Sequence, residues 1–288
     1  MDIESKKFLG QPKNFVSIFN ALLFDGQPVL KPEYLKDENS ELVMNVSSKH
    51  VDIIKRYEDG TYLDLFVIES QSYVDPSMVA RVMEYESVAR MRYIRQNFKK
   101  HVPMHTRLPM ILTVVLYVGE SKWNAAKRLS ELEIIHPGFE DMFNEFKLNL
   151  IELNTNHKYN TGEKATQDFF DLLRMIYRKQ ILKEDLDREF NRDALYFAYV
   201  VTKNKELLNI YQKSEKGDVK VCRALDEMFE ESTNKGIQLG IKQGIEQGIA
   251  LNQFEVYQTM LDKGFSVKAI ASIFSVSEES IKTLLMKA

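Results

Sequence analysis

Two acidic residues and a glutamine lie together on two neighbouring runs of β-forming residues. Asp52 lies in the first run, residues 51–55, and Glu69 directly follows the second, residues 62–68. A short Glu-Asp-Gly segment between the runs is typical of a turn, so the pair predicts a β-hairpin. Side chains alternate along a strand, so we expect Gln71 on the same face as Glu69.

Carboxylates brought together in this way can hold a metal ion. If the register brings Asp52 level with Glu69, the two carboxylates repel each other unless a divalent cation lies between them. Mg²⁺ prefers oxygen ligands, and when bound it activates water and stabilises charge on a phosphodiester. Gln71 would then orient that water or a phosphate oxygen. The alternative is that both acids are ordinary solvent-facing residues of surface strands.

The helix expected after Pro76, with Ser77 as its N-cap, adds to this pattern. The spacing D-x(16)-E-x-Q, followed by a helix with Arg81 and Tyr85, resembles the PD-(D/E)XK nuclease superfamily. More narrowly, VIESQSYVDPSMVARVMEYE resembles the Rpn family of recombination-promoting nucleases, also called YhgA-like transposases. In that family an "IExQ" strand end precedes an "MxxRxxxY" helix. The segment RLPMILTVVLYVGESKW and the C-terminal GI repeat are also similar to this family.

The resemblance implies a fold, an activity and a set of site residues. The fold is α/β, with a restriction-endonuclease-like PD-(D/E)XK core in which helices flank a mixed central sheet, and with a C-terminal helical tail. The activity is Mg²⁺-dependent hydrolysis of DNA phosphodiester bonds by an endonuclease, linked to recombination, mobile elements or defence. The implied residues are the metal ligands Asp52 and Glu69, the catalytic Gln71, and the substrate-binding Arg81, Tyr85 and Arg92.

Three departures from the superfamily pattern favour other functions. Gln71 replaces the usual lysine, and Val51 precedes Asp52 where the family has Pro or Arg. The first helix contains no acid, and only Glu4 and Asp25 flank it. A non-catalytic DNA-binding or self-assembling protein on a decayed nuclease fold is therefore the alternative. A purely structural self-associating protein is a third hypothesis.

A locally basic stretch follows the candidate metal site. The formal net charge of the chain is −3, so any DNA-binding surface must be local. Residues 79–107 contain two acids, Glu84 and Glu86, and seven basic residues: Arg81, Arg90, Arg92, Arg95, Lys99, Lys100 and Arg107. Such a surface would bind DNA phosphates, although most charge runs are simply solvated helix faces.

Patterning elsewhere predicts alternating helices and strands. We expect a polar loop over residues 31–40 and a strand over 41–45. The continuous apolar run 109–118 predicts a strand buried on both faces. The remaining elements are helices over 14–24, about 78–99, 168–182, 193–199 and 206–211, and a strand over 147–153.

Composition sets limits on the class of protein. The chain has 288 residues, 44% hydrophobic and 28% charged, which is ordinary for a globular protein. The single cysteine, Cys222, excludes an intramolecular disulfide and a Cys-rich zinc site. No signal sequence and no apolar run near 20 residues is found, so we expect a cytoplasmic protein with no membrane partner.

The C-terminal part contains a four-residue repeat, GIQL-GIKQ-GIEQ-GIA, from Gly236 to Gly248. We expect a helix whose glycines let a second copy approach closely, giving a homo-oligomer; a flexible linker is the alternative. Residues 253–288 predict a three-helix unit with helix-turn-helix spacing that contacts either DNA or protein. The expected domains are a nuclease-like domain (1–215), a helical stalk (216–252) and this small unit (253–288).

Overall fold

The structure is a computed structural model that describes residues 3–37, 53–60, 63–214 and 217–287. The chain divides into two compact units, Met1–Asp226 and Glu227–Ala288. The first unit contains all the described strands and the candidate site. The second unit consists of helices. Each unit is described by itself.

A five-stranded mixed sheet forms the centre of the first unit. Its strands lie in the order β1 (Leu35–Asp37), β2 (Ile53–Glu58), β3 (Leu63–Gln71), β4 (Ile111–Tyr117) and β5 (Asn149–Glu152). The first three strands pair antiparallel, whereas β3, β4 and β5 pair parallel. The α/β class, the mixed sheet, the hairpin and the central buried strand are therefore confirmed.

The polar segment before the hairpin differs from the expectation. We expected a loop over residues 31–40, but Leu35–Asp37 pair with Tyr57, Arg56 and Lys55 of β2. Residues whose own pattern does not alternate can form a strand when a neighbouring strand supplies backbone hydrogen bonds. The strand expected over residues 41–45 lies outside the described residues.

Helices cover both faces of the sheet. A parallel pair needs a crossover, and α3 (Met78–Asn97) provides it between β3 and β4. On one face, Leu65 and Val67 pack with Tyr85 and Ala89 of α3. Successive strand residues point to opposite faces, so Phe66 packs on the other face, against Phe19 of α2.

The remaining helices of the first unit include one that carries a buried aspartate with several charged partners. Their bounds are α1 (Ile3–Leu9), α2 (Pro12–Phe24), α4 (Lys164–Arg178), α5 (Arg192–Thr202) and α6 (Lys205–Lys213), and a two-stranded sheet joins β6 (Glu189–Phe190) to β7 (Val219–Lys220). The Asp168 carboxylate accepts hydrogen bonds from Lys164, Arg188 and the Asn191 amide. This carboxylate therefore ties α4 to the segment that leads into α5.

The boundary between the units falls within α7 (Cys222–Asp262), which contains the glycine repeat as continuous helix. In the second unit, α8 (Val267–Phe274) and α9 (Glu278–Lys287) follow. The Ala269 amide donates to Ser266 Oγ at 3.2 Å, so Ser266 caps α8. Tyr257, Ile270 and Ile281 form the small core of the expected three-helix arrangement. Within the described ranges, no helix is both long and apolar enough to cross a membrane.

Candidate functional site

The candidate site begins at the carboxyl end of β3, where two polar side chains are buried. Glu69 is 2% exposed and Gln71 is 6% exposed. Gln71 Nε2 donates to Glu69 Oε1 at 2.9 Å, so the two side chains share one face as predicted. The register pairs Ile53 with Ile68. These are the sequence neighbours of Asp52 and Glu69, but Asp52 itself lies outside the described residues.

Arg81 connects α3 to the end of β3. Its Nη2 donates to Glu69 Oε1 at 3.1 Å, and its Nη1 donates to Asp75 Oδ2 at 2.5 Å. Both Nε and Nη2 also donate to the Tyr85 hydroxyl, at 3.0 and 2.7 Å. Arg81 and Tyr85 are one helical turn apart, which explains their contact. The structure therefore brings Glu69, Gln71, Arg81 and Tyr85 together.

Asp75 is a member of this network that the sequence analysis missed. Its Oδ1 accepts hydrogen bonds from the Ser77 amide at 2.9 Å and from Ser77 Oγ at 2.6 Å. Ser77 occupies the predicted N-cap position of α3, but its side chain makes no cap hydrogen bond to the helix. An Asp two residues before a Ser at a helix start is typical of a side-chain turn, and this signal could have identified Asp75.

Electrostatics keep the Arg81 guanidinium charged. Burial raises the pKa of Asp75, but hydrogen bonds from Ser77 and Arg81 outweigh that effect and hold it below its ordinary value. The pKa of Arg81 is raised because Asp75, Tyr85 and Glu69 outweigh its desolvation. Burial raises the pKa of Tyr85. The site therefore contains a fixed cation between two acidic side chains and a neutral phenol.

A second buried acid lies on the same sheet face. The registers pair Gln71 with Tyr117 and Tyr117 with Glu152, at the carboxyl ends of three parallel strands. Glu152 is 8% exposed, and its Oε1 forms an ion pair with Lys127. The sequence analysis missed Glu152, although an acid that ends an apolar strand is the same signal that identified Glu69.

The other candidate residues are placed differently. Arg92 is half-buried on α3, and its side chain makes no hydrogen bond or ion pair within the described part of the chain. Glu4 lines a cleft with Asp193 and Tyr211, and the Asp25 carbonyl, at the end of α2, accepts from Asn160. Among the residues that the structure describes, no group of three or more His, Cys, Asp or Glu could hold a metal ion.

The basic stretch divides into an inner and an outer set. Arg81 faces the site, and Arg90 forms an ion pair with the buried Glu86 at 3.2 Å. The exposed members of the stretch are Arg95, Lys99, Lys100 and Arg107. These four cations are therefore available to an anionic partner.

Residues 33–207, more than half of the chain, match the family described as "Putative transposase, YhgA-like". The chain belongs to this YhgA-like family. Neither the search of curated proteins nor the search of solved structures finds a match. The matched residues include the whole described site, from Glu69 to Glu152. Membership in the YhgA-like family points to a nuclease-like or mobile-element role and to interaction with DNA.

Proposed function

We propose that this YhgA-like protein is a Mg²⁺-dependent DNA endonuclease with a PD-(D/E)XK site. The observation that carries the proposal is the buried Glu69 carboxylate at the end of β3, hydrogen-bonded by Gln71. Ile53 pairs with Ile68 across the two strands. Asp52 directly precedes Ile53 and Glu69 directly follows Ile68, which supports a joint role of the two acids. Such a core needs a helix, an antiparallel meander, a crossover helix and a parallel strand, and these elements follow one another in that order here.

The donor chemistry at this position suits magnesium. Glu69 and Asp52 would supply carboxylate oxygens, and Gln71 donates through Nε2, which leaves its carbonyl oxygen to accept a hydrogen bond from water. When bound, Mg²⁺ would activate a water molecule and stabilise charge on the phosphodiester. Arg81 lies 3.1 Å from Glu69, so its cation balances the carboxylate charge and competes with a metal ion for it.

Arg81 and Arg92 would act on the substrate through charge. Asp75 and Tyr85 hold the Arg81 guanidinium in place, so it would stabilise negative charge at the scissile phosphate without reorganisation. Arg92 lies on the same helix and would contact a neighbouring phosphate. The exposed cations beyond it would contribute affinity that does not depend on DNA sequence.

Plasmid nicking in Mg²⁺ tests the proposal. Loss of outer-shell partners of a metal site costs about 10–100-fold. Asp52→Ala and Glu69→Gln, which remove ligands, should therefore lower the nicking rate by more than about 100-fold. Glu84→Ala is the matched control, because Glu84 is an exposed acid on α3. Circular dichroism would confirm that each variant is folded. Unchanged nicking by both ligand variants would refute the assigned site.

The second candidate function is DNA binding without cleavage. It is favoured by the ion pair between Arg81 and Glu69 and by the glutamine at position 71. This hypothesis predicts equal DNA affinity in EDTA and in Mg²⁺, and no nicking at any enzyme concentration. Tighter binding in Mg²⁺ together with nicking would exclude it.

Self-association through α7 is a further part of the proposal. A Cβ added at Gly236, Gly240, Gly244 or Gly248 would meet no atom within 4 Å, so packing within the chain does not require these glycines. The isoleucine that follows each glycine is 53–59% exposed. A second copy would use the glycines for close approach and cover the isoleucines. Sedimentation of Gly240→Leu against Lys242→Ala tests this, and only the first should shift the protein toward monomer.

A further inference from the structure

The segment between α3 and β4, residues 98–110, combines positive charge with an exposed apolar side chain. It contains Lys99, Lys100 and Arg107 and no Asp or Glu. Met104 lies between these cations and is 86% exposed. Contact of so exposed an apolar side chain with water is unfavourable in free energy. An anionic partner with an apolar interior would bury the side chain and remove this unfavourable contact.

A tight turn presents Met104 at the tip of the segment. The Thr106 amide donates to the Pro103 carbonyl at 3.1 Å, and Thr106 Oγ1 donates to the same oxygen at 2.7 Å. His105, the second central residue of the turn, has a φ of 69°. A positive φ at this position defines a type II turn, which favours glycine. The chain therefore bears local strain in the turn that displays Met104.

Both ends of the segment are fixed. At one end, the Phe98 amide donates to the Ile94 carbonyl at 2.8 Å and closes α3. At the other, the Met110 amide donates to Asp64 Oδ1 at 3.1 Å, and its carbonyl accepts from the Leu65 amide. The tip is therefore presented from a fixed base rather than from a free loop.

We propose that Met104 is a wedge that inserts between base pairs of duplex DNA, while Lys99, Lys100 and Arg107 bind the adjacent phosphates. The proposal rests on the proposed function, because it assumes that DNA is the partner. Apolar side chains inserted at a base step unstack and kink the duplex, and flanking cations supply the affinity. The required partner is a duplex, because only stacked base pairs give a wedge something to separate.

The distance from the candidate site fits one duplex. Helix α3 has 20 residues and is therefore about 30 Å long. It begins next to the residues that bind Glu69 and ends at the base of the loop. At the other end of the loop, Ile111 pairs with Leu65, four residues before Glu69 and therefore about 13 Å from it along the strand. One turn of DNA spans roughly 34 Å, so the site and the wedge would contact the same duplex within about one turn of each other. A kink at Met104 would then set the position of the phosphate at Glu69.

Fluorescence of 2-aminopurine placed in a short duplex tests the wedge. The measurement is made in EDTA with the full chain, so that cleavage plays no part. Wild-type protein should increase the fluorescence severalfold at saturation, and Met104→Leu should retain the increase. Met104→Ala should lose most of it, whereas Met91→Ala, which removes a 48% exposed methionine of α3, should not. Equal fluorescence for wild type and Met104→Ala would overturn the proposal.

Further variants separate this proposal from the nuclease hypothesis. Lys99→Gln should weaken binding and lower the salt slope by about 1, with unstacking at saturation unchanged. Glu69→Gln should retain the fluorescence increase although it does not nick. Nicking without unstacking would overturn the wedge alone, and unstacking without nicking would overturn the nuclease alone. If Met104→Ala changed the oligomer mass instead of the fluorescence, the surface would be a protein contact and the wedge would be refuted.

Discussion

Arg81→Ala should strongly destabilise the first unit, because Arg81 holds two buried carboxylates. The Arg81 side chain is 13% exposed, Glu69 is 3% exposed and Asp75 is 12% exposed. Removal of one partner from a buried ion pair costs about 3–5 kcal/mol, since the other charge remains buried. Arg95→Ala is the control on the same helix, and loss of an exposed side chain should change stability by at most about 0.5 kcal/mol.

Urea unfolding measures both variants, and the midpoint should fall for Arg81→Ala at an unchanged m value. The pH dependence adds a second test. The pKa of Asp75 is held below its ordinary value in the folded wild type, so its ion pair contributes stability above the unfolded pKa, near 3.9. That contribution is lost as pH falls through the folded pKa. The difference between wild type and Arg81→Ala should therefore shrink below about pH 4.

Two results would refute this reasoning. One is a cost below about 1 kcal/mol at pH 7, which would mean that water replaces the guanidinium. The other is a cost that stays constant from pH 7 to the acid limit, which would mean that packing of the side chain, rather than charge, provides the stability.

Three further outcomes are expected elsewhere in the chain. Burial raises the pKa of Glu86, so the free energy of unfolding of the wild type should fall as pH rises through that pKa. Glu86→Gln cannot ionise, so its melting temperature should exceed that of the wild type by a growing amount over this range; a constant difference would contradict this. Ser266→Ala should cost the second unit about 1 kcal/mol, measured by calorimetry, because it removes the cap of α8. Burial raises the pKa of the Cys222 thiol to about 12, so a thiol reagent should label it only after urea unfolds the first unit.

Local patterns predicted the elements around the site well. Pro76 and the apolar periodicity that follows placed the start of α3 at Met78, and alternation placed Glu69 and Gln71 on one face. These features depend on residues close in sequence. Glu152 joins the same face only because parallel pairing aligns β5 with β4, and a local pattern contains no information on such pairing.

The errors also have local physical causes. Ser77 occupies the expected N-cap position of α3, but its hydroxyl donates to the ionised Asp75 carboxylate and does not accept from a helix amide. Residues 35–37 form a strand because β2 lies beside them, although their own composition is polar. The domain boundaries expected at residues 215 and 252 stay predictions, as do the roles of Asp52 and Arg92.

Strand β3 has hydrogen-bonded neighbours along both edges, antiparallel on one side and parallel on the other. Its amide protons should be among the last to exchange with deuterated solvent, because the amides that point to either side of the strand are paired with a neighbouring strand. A ligand that reaches Glu69 therefore meets a frame that is already ordered. Little conformational entropy is then lost on binding, and more of the contact energy is retained as affinity.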